Sequence, residues 1–318
     1  MIADNVNPKK KNIIGQALLR LKDSSTIYYY KVKTNKVKSK TINDKANFRG
    51  YFQGEDEIEL NLDNRLFIVT GKKYNVFFYY DYERNEIFKL NDLKFSHFFG
   101  NLIFCELNNS LYCIGGINSK KCEIYRNDEL IKTNLSFSDK KVVQKTWEPL
   151  PDLNVSRHEC SSIFHNNFLY VFFGYNNLTN FNNNTIERMN SHKNENWEIL
   201  SYTNPSYLNV NLNSLSTIRY SDNEILILGG FDGKHYRDSV FLFNVKTSSF
   251  HQTQLKIPDL KKNTYYYFFK ESSFVKIGEY ENLIEGGLPN YCLFDSNNRV
   301  HLINTRKFQY QIITPQEK

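Results

Sequence analysis

A short apolar segment that ends in small residues recurs along the chain, and this repetition constrains the fold more than any other feature. Six copies occur at intervals of 45 to 58 residues: ALLRLK, LFIVTG, LYCIGG, LYVFFG, ILILGG and FVKIGE. A second apolar or aromatic segment with a polar turn follows each copy, as in VFFYYDYERNEI and VFLFNVKTSSF. Because both segments occur six times and in the same order, they indicate six repeats of one structural unit.

Each repeat is predicted to form a four-stranded antiparallel sheet, with strands that we letter A to D. The first segment supplies strand B, and the second segment supplies strands C and D. A tight turn rich in Asn and Asp joins strand A to strand B, as in ELNLDNRLF and SIFHNNFLY. Both residues suit such turns because they tolerate positive φ. Short strands with turn signals at a period of about 50 residues are typical of a β-propeller. The sequence therefore predicts an all-β chain with six four-stranded blades.

The predicted organisation is a basic N-terminal tail at 1–12 and a single propeller at 13–318. The six repeats cover residues 13–42, 57–90, 97–150, 158–200, 214–255 and 264–304. The first repeat lacks room for a strand A, and the C-terminus offers a surplus strand at 307–314. We expect this strand to close the ring by completing the first blade, because an open sheet edge invites aggregation. An insertion at 127–146 is predicted to form an ordered arm on the face opposite the B–C loops, in contact with a neighbouring blade or a second partner. The alternative is an unstructured loop.

The third repeat resembles the kelch family in SLYCIGGINSKKCEIYRND and the following TWEPLPDLNVSRHECSSIF. The resemblance implies a kelch-type propeller that acts as a scaffold or adaptor, with ubiquitin-ligase or cytoskeletal assemblies as the setting. It assigns structural roles to glycines that allow close backbone approach, to a Tyr in strand C and to two Trp residues between blades. These are Gly71, Gly115, Gly116, Tyr125, Trp147, Gly174, Trp197, Gly229, Gly230 and Gly278. The match is uneven, since the first repeat has Leu21-Lys22 where glycines are expected.

Composition limits the setting and the partners. Five Cys without a C-x-x-C pair favour reduced thiols in the cytoplasm, with the nucleus as the alternative. No apolar run reaches the roughly 18 residues of a membrane helix, and the N-terminus MIADNVNPKKKN lacks the apolar core of a secretory signal. We therefore expect no membrane association. The net charge of +7 is concentrated in residues 1–50. This excess favours a solvated edge over a contact with an acidic partner, and no aromatic-basic motif points to nucleic acid.

No constellation for catalysis is visible in the sequence. The seven His residues are scattered, and no pair has the spacing of metal ligands. No G-x-S-x-G, P-loop or dinucleotide fingerprint occurs. The sequence predicts no enzyme, no cofactor and no metal site. The alternative function is a propeller enzyme, either carbohydrate-active or similar to copper oxidases.

The B–C and D–A loops are predicted to lie on one face and to bind a protein partner, conceivably through an acidic segment of that partner. Loops on a rigid scaffold are where binding residues concentrate, and Tyr and Arg are frequent interface anchors. The candidate partner-binding residues are Lys72, Lys73, Tyr74, Lys120, Lys121, Arg157, Tyr175, Lys234, His235, Tyr236, Arg237 and Tyr280. The alternative is a set of solvated loops with no partner.

Overall fold

The structure is a computed structural model. It describes residues 17–23, 25–31, 36–43, 45, 47–51, 58–62, 64–71, 73–126, 146–193, 195–204, 212–256, 275–276, 291–294, 300–304 and 309–313. The predicted basic tail at 1–12, nearly all of the insertion at 127–146, and the candidate residues Lys72, Gly278 and Tyr280 lie outside the described residues.

Antiparallel sheets account for the regular structure of the described chain, apart from a short 3-10 turn at Phe48–Gly50. The first sheet has three strands: β1 (Ala17–Asp23), β2 (Thr26–Lys31) and β3 (Lys36–Thr41). The second has four: β4 (Ile58–Leu62), β5 (Arg65–Thr70), β6 (Val76–Asp81) and β7 (Glu86–Lys89). The third also has four: β8 (Asn101–Cys105), β9 (Ser110–Ile114), β10 (Cys122–Arg126) and β11 (Glu148–Leu150). The all-β prediction is confirmed.

Three further four-stranded sheets follow, together with one small ribbon. The fourth sheet contains β12 (Ser161–His165), β13 (Phe168–Phe172), β16 (Ile186–Asn190) and β17 (Glu198–Leu200). A two-stranded ribbon, β14 (Tyr175–Asn176) with β15 (Phe181–Asn182), is inserted between β13 and β16. The fifth sheet contains β18 (Asn213–Ser221), β19 (Glu224–Phe231), β20 (Ser239–Asn244) and β21 (Ser249–Lys256). The sixth contains β22 (Val275–Lys276), β23 (Tyr291–Phe294), β24 (Val300–Asn304) and β25 (Gln309–Ile313).

Asparagine residues make the tight turns between the first two strands of several sheets. The β12–β13 turn consists of Asn166 and Asn167, with φ of 47° and 66°. Two consecutive residues with positive φ form the hairpin turn whose twist matches that of antiparallel strands. Asn64 before β5 and Asn109 before β9 also have positive φ, at 63° and 54°. The predicted polar hairpin turns are therefore confirmed at these positions.

Successive sheets pack face to face, which explains why their second strands carry long uninterrupted apolar runs. In β5, Leu66 and Ile68 pack in a cluster with the first sheet, whereas Phe67 and Val69 pack in a cluster with the third. Alternate side chains of a strand point to opposite faces, so a sheet that lies between two others needs apolar residues on both. The same alternation joins the third sheet to the fourth and the fourth to the fifth.

The two Trp residues fill the gaps between neighbouring sheets. Trp147 is fully buried in the cluster between the second and third sheets, where it contacts Phe77 and Tyr125 at ring distances of 5.2 and 5.4 Å. Trp197 occupies the same place between the third and fourth sheets. The inter-sheet position that the resemblance assigns to both residues is therefore confirmed.

The first strands of the sheets lie side by side. β4 is next to β8, β8 next to β12, and β12 next to β18. β1 lies against β4 and β5 on one side and against β23 of the sixth sheet on the other. Sheets stacked face to face, with their first strands adjacent, fit the β-propeller-like class.

The expected closure by the C-terminal strand is wrong. Gln309–Ile313 pairs with Val300–Asn304 as the fourth strand of the sixth sheet, and the first sheet has three strands in the order β1, β2, β3. Only four residues of the sequence separate β24 from β25. Local antiparallel pairing across such a connection loses less chain entropy than pairing with a strand at the far end of the chain.

Candidate functional site

One face of the stacked sheets is formed by interlocking loops, which we call the loop face. It contains the connections β5–β6, β9–β10, β13–β16 and β19–β20, and the segments that lead into β8, β12 and β18. Backbone bonds tie these loops together. The amide of Leu93 donates to Asn75 O at 2.7 Å, and the amide of Leu153 donates to Lys120 O at 2.8 Å. Each leading segment is thus fastened to the loop of the preceding sheet, as the predicted common face of the B–C and D–A loops requires.

Five rings form a continuous row across the loop face, which we call the aromatic arc. Tyr74 stacks on Phe98 and Phe98 stacks on Phe99, with centroid distances of 4.2 Å in both cases. His158 lies 6.1 Å from Phe99 and 5.4 Å from Tyr175. The two Tyr and two Phe residues are half-buried, whereas His158 is buried. The arc joins the loops of the second, third and fourth sheets, and its ends are two predicted site residues.

The backbone beneath the arc is held in the left-handed region at bulky residues. Tyr74 has φ of 46° and Phe99 has φ of 55°. Such conformations are unfavourable for large side chains and persist where the surrounding structure enforces them. At Phe99 a bond between sheets does so, because the Glu159 amide donates to Phe99 O at 3.0 Å. The Ser214 amide in turn donates to Glu159 O at 2.8 Å, so the same bond recurs in the next sheet.

Burial disfavours a charge on His158, the one buried ring of the arc. It lowers the pKa of His158 from the ordinary value, although the neighbouring Glu159 carboxylate opposes this effect. Nδ1 of His158 is buried and has no hydrogen-bond partner. The described residues contain no group of three or more His, Cys, Asp or Glu side chains that could hold a metal ion.

A buried carboxylate on β10, the third strand of the third sheet, anchors the segment that leads into that sheet. Glu123 accepts hydrogen bonds from the Lys94 amide at 2.9 Å and the Phe95 amide at 2.8 Å. The Nε2 atom of His97 lies 3.1 Å from the same carboxylate. These contacts fix residues 94–97 in place, and the arc residues Phe98 and Phe99 follow them directly in the chain.

The fourth sheet repeats this arrangement with arginine. Glu187 accepts from the Asn154 amide at 2.7 Å and the Val155 amide at 3.1 Å, and Arg157 forms an ion pair with it. Arg157 is fully buried and also donates to Phe173 O at 3.0 Å. The prediction of Arg157 as a partner-binding residue is therefore wrong. The side chain points inward because a buried carboxylate requires a paired donor.

Glycine is required where the third sheet meets Arg157. A Cβ on Gly115 would lie 2.5 Å from Arg157 O, and Gly115 has φ of 67°. Gly174, with φ of 94°, approaches His158 O in the same way. The close backbone approach that the resemblance predicts is therefore present at both positions, and it brings the segment beneath the arc into contact with the preceding loops.

The predicted lysines divide into free and paired side chains. Lys73 and Lys120 are exposed on the loop face. Lys121 instead donates to Asp152 at 2.8 Å and lies 5.2 Å from the Phe95 ring. An exposed pair of this kind leaves the lysine reachable, but its charge is already neutralised.

The β19–β20 loop presents the remaining predicted residues. Asp232 accepts from the amides of Lys234 at 2.9 Å and His235 at 2.7 Å, and it also pairs with Arg237. Lys234 and His235 are exposed, while Tyr236 packs on Phe231 at 4.8 Å. Burial alone would raise the pKa of Asp232, but these amide bonds and Arg237 lower it below its ordinary value.

The structure adds site residues that the sequence reasoning missed. Phe98, Phe99 and His158 complete the arc, and the ribbon between β13 and β16 exposes Leu178 and Phe181. A sequence signal for the arc existed: DLKFSH at 92–97 and DLNVSR at 152–157 are two copies of one segment, and each directly precedes an arc residue.

No model of a known protein family matches this chain, and no curated protein sequence matches it. Among the described residues, no helix is long and apolar enough to cross a membrane.

Proposed function

We propose that the chain is a six-bladed, kelch-type β-propeller that binds a protein partner through its loop face and catalyses no reaction. The observation that carries this proposal is the aromatic arc, a row of five rings that crosses three sheets. Four of the five rings, all except His158, stay half-exposed although the sheets beneath them are closely packed.

Two properties of the arc favour a binding role. Tyr side chains in fixed positions supply large contact areas with little loss of conformational entropy. Left-handed backbone at Tyr74 and Phe99 is strained, and such strain concentrates at functional sites. A row of rings held in advance by Glu123 and Glu187 avoids the ordering cost that weakens most interfaces.

The charge of the loop face favours an acidic partner segment. Lys73 and Lys120 are exposed on this face, and among the described residues neither has an acidic partner. By its resemblance to kelch proteins, the chain would act as an adaptor in a ubiquitin-ligase or cytoskeletal assembly.

Affinity capture with mass spectrometry tests this proposal. The wild-type chain and the double variant Tyr74→Asn/Tyr175→Ala are compared as baits in a cell extract. Asn tolerates the left-handed conformation at position 74, so the variant removes rings without adding strain. Loss of one aromatic anchor weakens an interface by about 2 kcal/mol, which is about thirtyfold in affinity. We expect the captured proteins to disappear.

Leu107→Ala is the matched control. Leu107 is exposed on the β8–β9 turn, at the opposite end of the third sheet from the loop face. We expect this variant to capture the same proteins as the wild type. Equal capture by the Tyr74→Asn/Tyr175→Ala variant would remove the arc as the binding site.

A further inference from the structure

The ribbon β14–β15 carries an apolar tip that the rest of the fold does not cover. Four large apolar side chains are exposed among the described residues, and two of them, Leu178 and Phe181, belong to this ribbon. Each has 73% of its surface exposed. No charged residue occurs from 173 to 186, although Lys and Asp are frequent in the neighbouring loops. Exposed apolar residues that cluster in this way mark interaction sites.

The ribbon is fastened at its base. Tyr175 and His158 exchange backbone bonds of 2.8 and 3.0 Å, and the Asn182 side chain donates to Phe231 O at 3.0 Å. Asn213 donates to the Asn182 side chain at 2.9 Å. The ribbon is therefore tied to the segment that leads into the fourth sheet and to two positions of the fifth sheet.

The tip has its own turn structure. The Leu178 amide donates to the Asn176 side chain at 3.0 Å, and Asn180 has φ of 54°. Asn residues therefore satisfy the backbone of the turn and leave its apolar side chains outside. Leu178 and Phe181 are thus held outward by hydrogen bonds.

The charges around the ribbon are unbalanced. On the loop face, each acidic side chain of the described residues has a partner within the protein: Asp92 with Lys89, Asp152 with Lys121, Glu159 with Ser214, Asp232 with Arg237, and Asp238 with Lys256. Four exposed lysines have none among the described residues: Lys73, Lys94, Lys120 and Lys234. Such a surface is complementary to a negatively charged one.

We propose that the part of the loop face around the ribbon docks on an anionic lipid surface, with Leu178 and Phe181 inserted at the level of the headgroups. This inference goes beyond the proposed function and does not rest on it. The sequence predicts no membrane association because no apolar run is long enough to span a membrane. That argument does not apply to a peripheral contact of this kind, which needs no spanning segment.

Three features favour lipid over an acidic protein as the occupant of the ribbon tip. The tip is a protrusion, and a bilayer receives such a protrusion without a dedicated pocket. The unpaired cations are all lysines spread over several loops, whereas Arg157 and Arg237 are used internally. Lysine acts as a point charge and suits diffuse anionic headgroups, whereas arginine suits fixed carboxylates. Half-buried Tyr175 belongs to the ribbon itself, and Tyr is enriched at the membrane interface.

Vesicle co-sedimentation tests this proposal. The probes are vesicles of phosphatidylcholine alone and vesicles with about one third phosphatidylserine. We expect the wild-type chain to sediment with the second kind, less so at high salt, and not with the first. Leu178→Ser/Phe181→Ser should weaken the partitioning about tenfold or more. Lys120→Gln and Lys234→Gln should weaken it about fivefold each.

Matched controls lie on the opposite face. Leu107→Ser makes the same kind of change at an exposed apolar residue, and Lys246→Gln removes an exposed lysine from the β20–β21 turn. Both should bind vesicles as the wild type does, and the Trp fluorescence of every variant should report a folded chain.

Several results would overturn the proposal. These are the absence of binding to phosphatidylserine vesicles and equal binding by the Leu178→Ser/Phe181→Ser variant. A different outcome would assign the ribbon to a protein contact. In that case the wild-type chain would not bind vesicles, and the Leu178→Ser/Phe181→Ser variant would fail to capture the proteins that the wild type captures. The aromatic arc is tested separately by Tyr74→Asn/Tyr175→Ala, so failure of one proposal leaves the other intact.

Discussion

At the scale of single residues, two buried carboxylates organise the loop face. Glu123 and Glu187 hold the same positions in consecutive sheets, and each binds two backbone amides and one cationic or imidazole side chain. A buried carboxylate is tolerated when its oxygen atoms are satisfied in this way. The loop segments that carry the arc are therefore fixed by the interior of the protein.

Substitution of Arg157 tests this anchoring. Arg157→Met leaves Glu187 buried without its ion-pair partner, so we expect the free energy of unfolding to fall by about 3–5 kcal/mol. Lys121→Met is the comparison, because it breaks the exposed pair with Asp152 and should lower the stability by less than about 1 kcal/mol. Urea titration followed by Trp fluorescence measures both. Similar losses for the two variants would mean that the buried pair contributes no more than a surface pair.

The error over Arg157 shows what sequence reasoning could reach at this scale. The loop position of Arg157 was predictable, but its partner Glu187 lies 30 residues further along the chain, on a strand. A contact of that kind depends on which side chains the stacked sheets bring together, and apolar periodicity carries no information about it. Tyr74 and Tyr175 were predicted as exposed anchors, and the structure places both half-buried in one row with His158 between Tyr175 and the stacked phenyl rings.

At the scale of the elements, strands were easier to predict than loops. The segments LFIVTG, LYCIGG and ILILGG fall on β5, β9 and β19, because burial on both faces leaves an uninterrupted apolar run. The ribbon β14–β15 was missed since its Asn-rich sequence resembles an ordinary polar loop. Its order comes from bonds to the fifth sheet, which are made only in the folded chain.

The β19–β20 loop should respond to acid through Asp232. Its pKa is lowered in the folded chain, so its stabilising contribution is complete above the unfolded pKa of about 3.9 and is lost as the pH falls through the folded value. We expect amide exchange at Lys234 and His235 to be protected at neutral pH and to accelerate, relative to the intrinsic rate, only below about pH 4. Asp232→Asn should abolish this pH dependence. An unchanged response in that variant would assign the effect to another group.

At the scale of the whole molecule, the order of the sheets was predictable from the repeats, but the way in which the ends meet was not. β1 lies between the second sheet and β23, so the first sheet meets the sixth by packing instead of by a shared set of backbone bonds. A count of strands could not distinguish the two arrangements, because both use the surplus C-terminal strand.

Two truncated chains separate these arrangements. Removal of residues 305–318 takes away β25, which pairs with β24 at the edge of the sixth sheet. Removal of residues 1–31 takes away β1 and β2, which cover the fully buried Leu66, Ile68, Phe78 and Tyr80 of the second sheet. Exposure of four such side chains, at about 1.5–3 kcal/mol each, costs on the order of 6–12 kcal/mol, which is comparable to the whole stability of a domain. We therefore expect the C-terminal truncation to fold, with Trp147 and Trp197 in their native fluorescence, and the N-terminal truncation not to fold. If the last strand instead completed the first sheet, the two truncations would be equally damaging, and circular dichroism of both chains would show it.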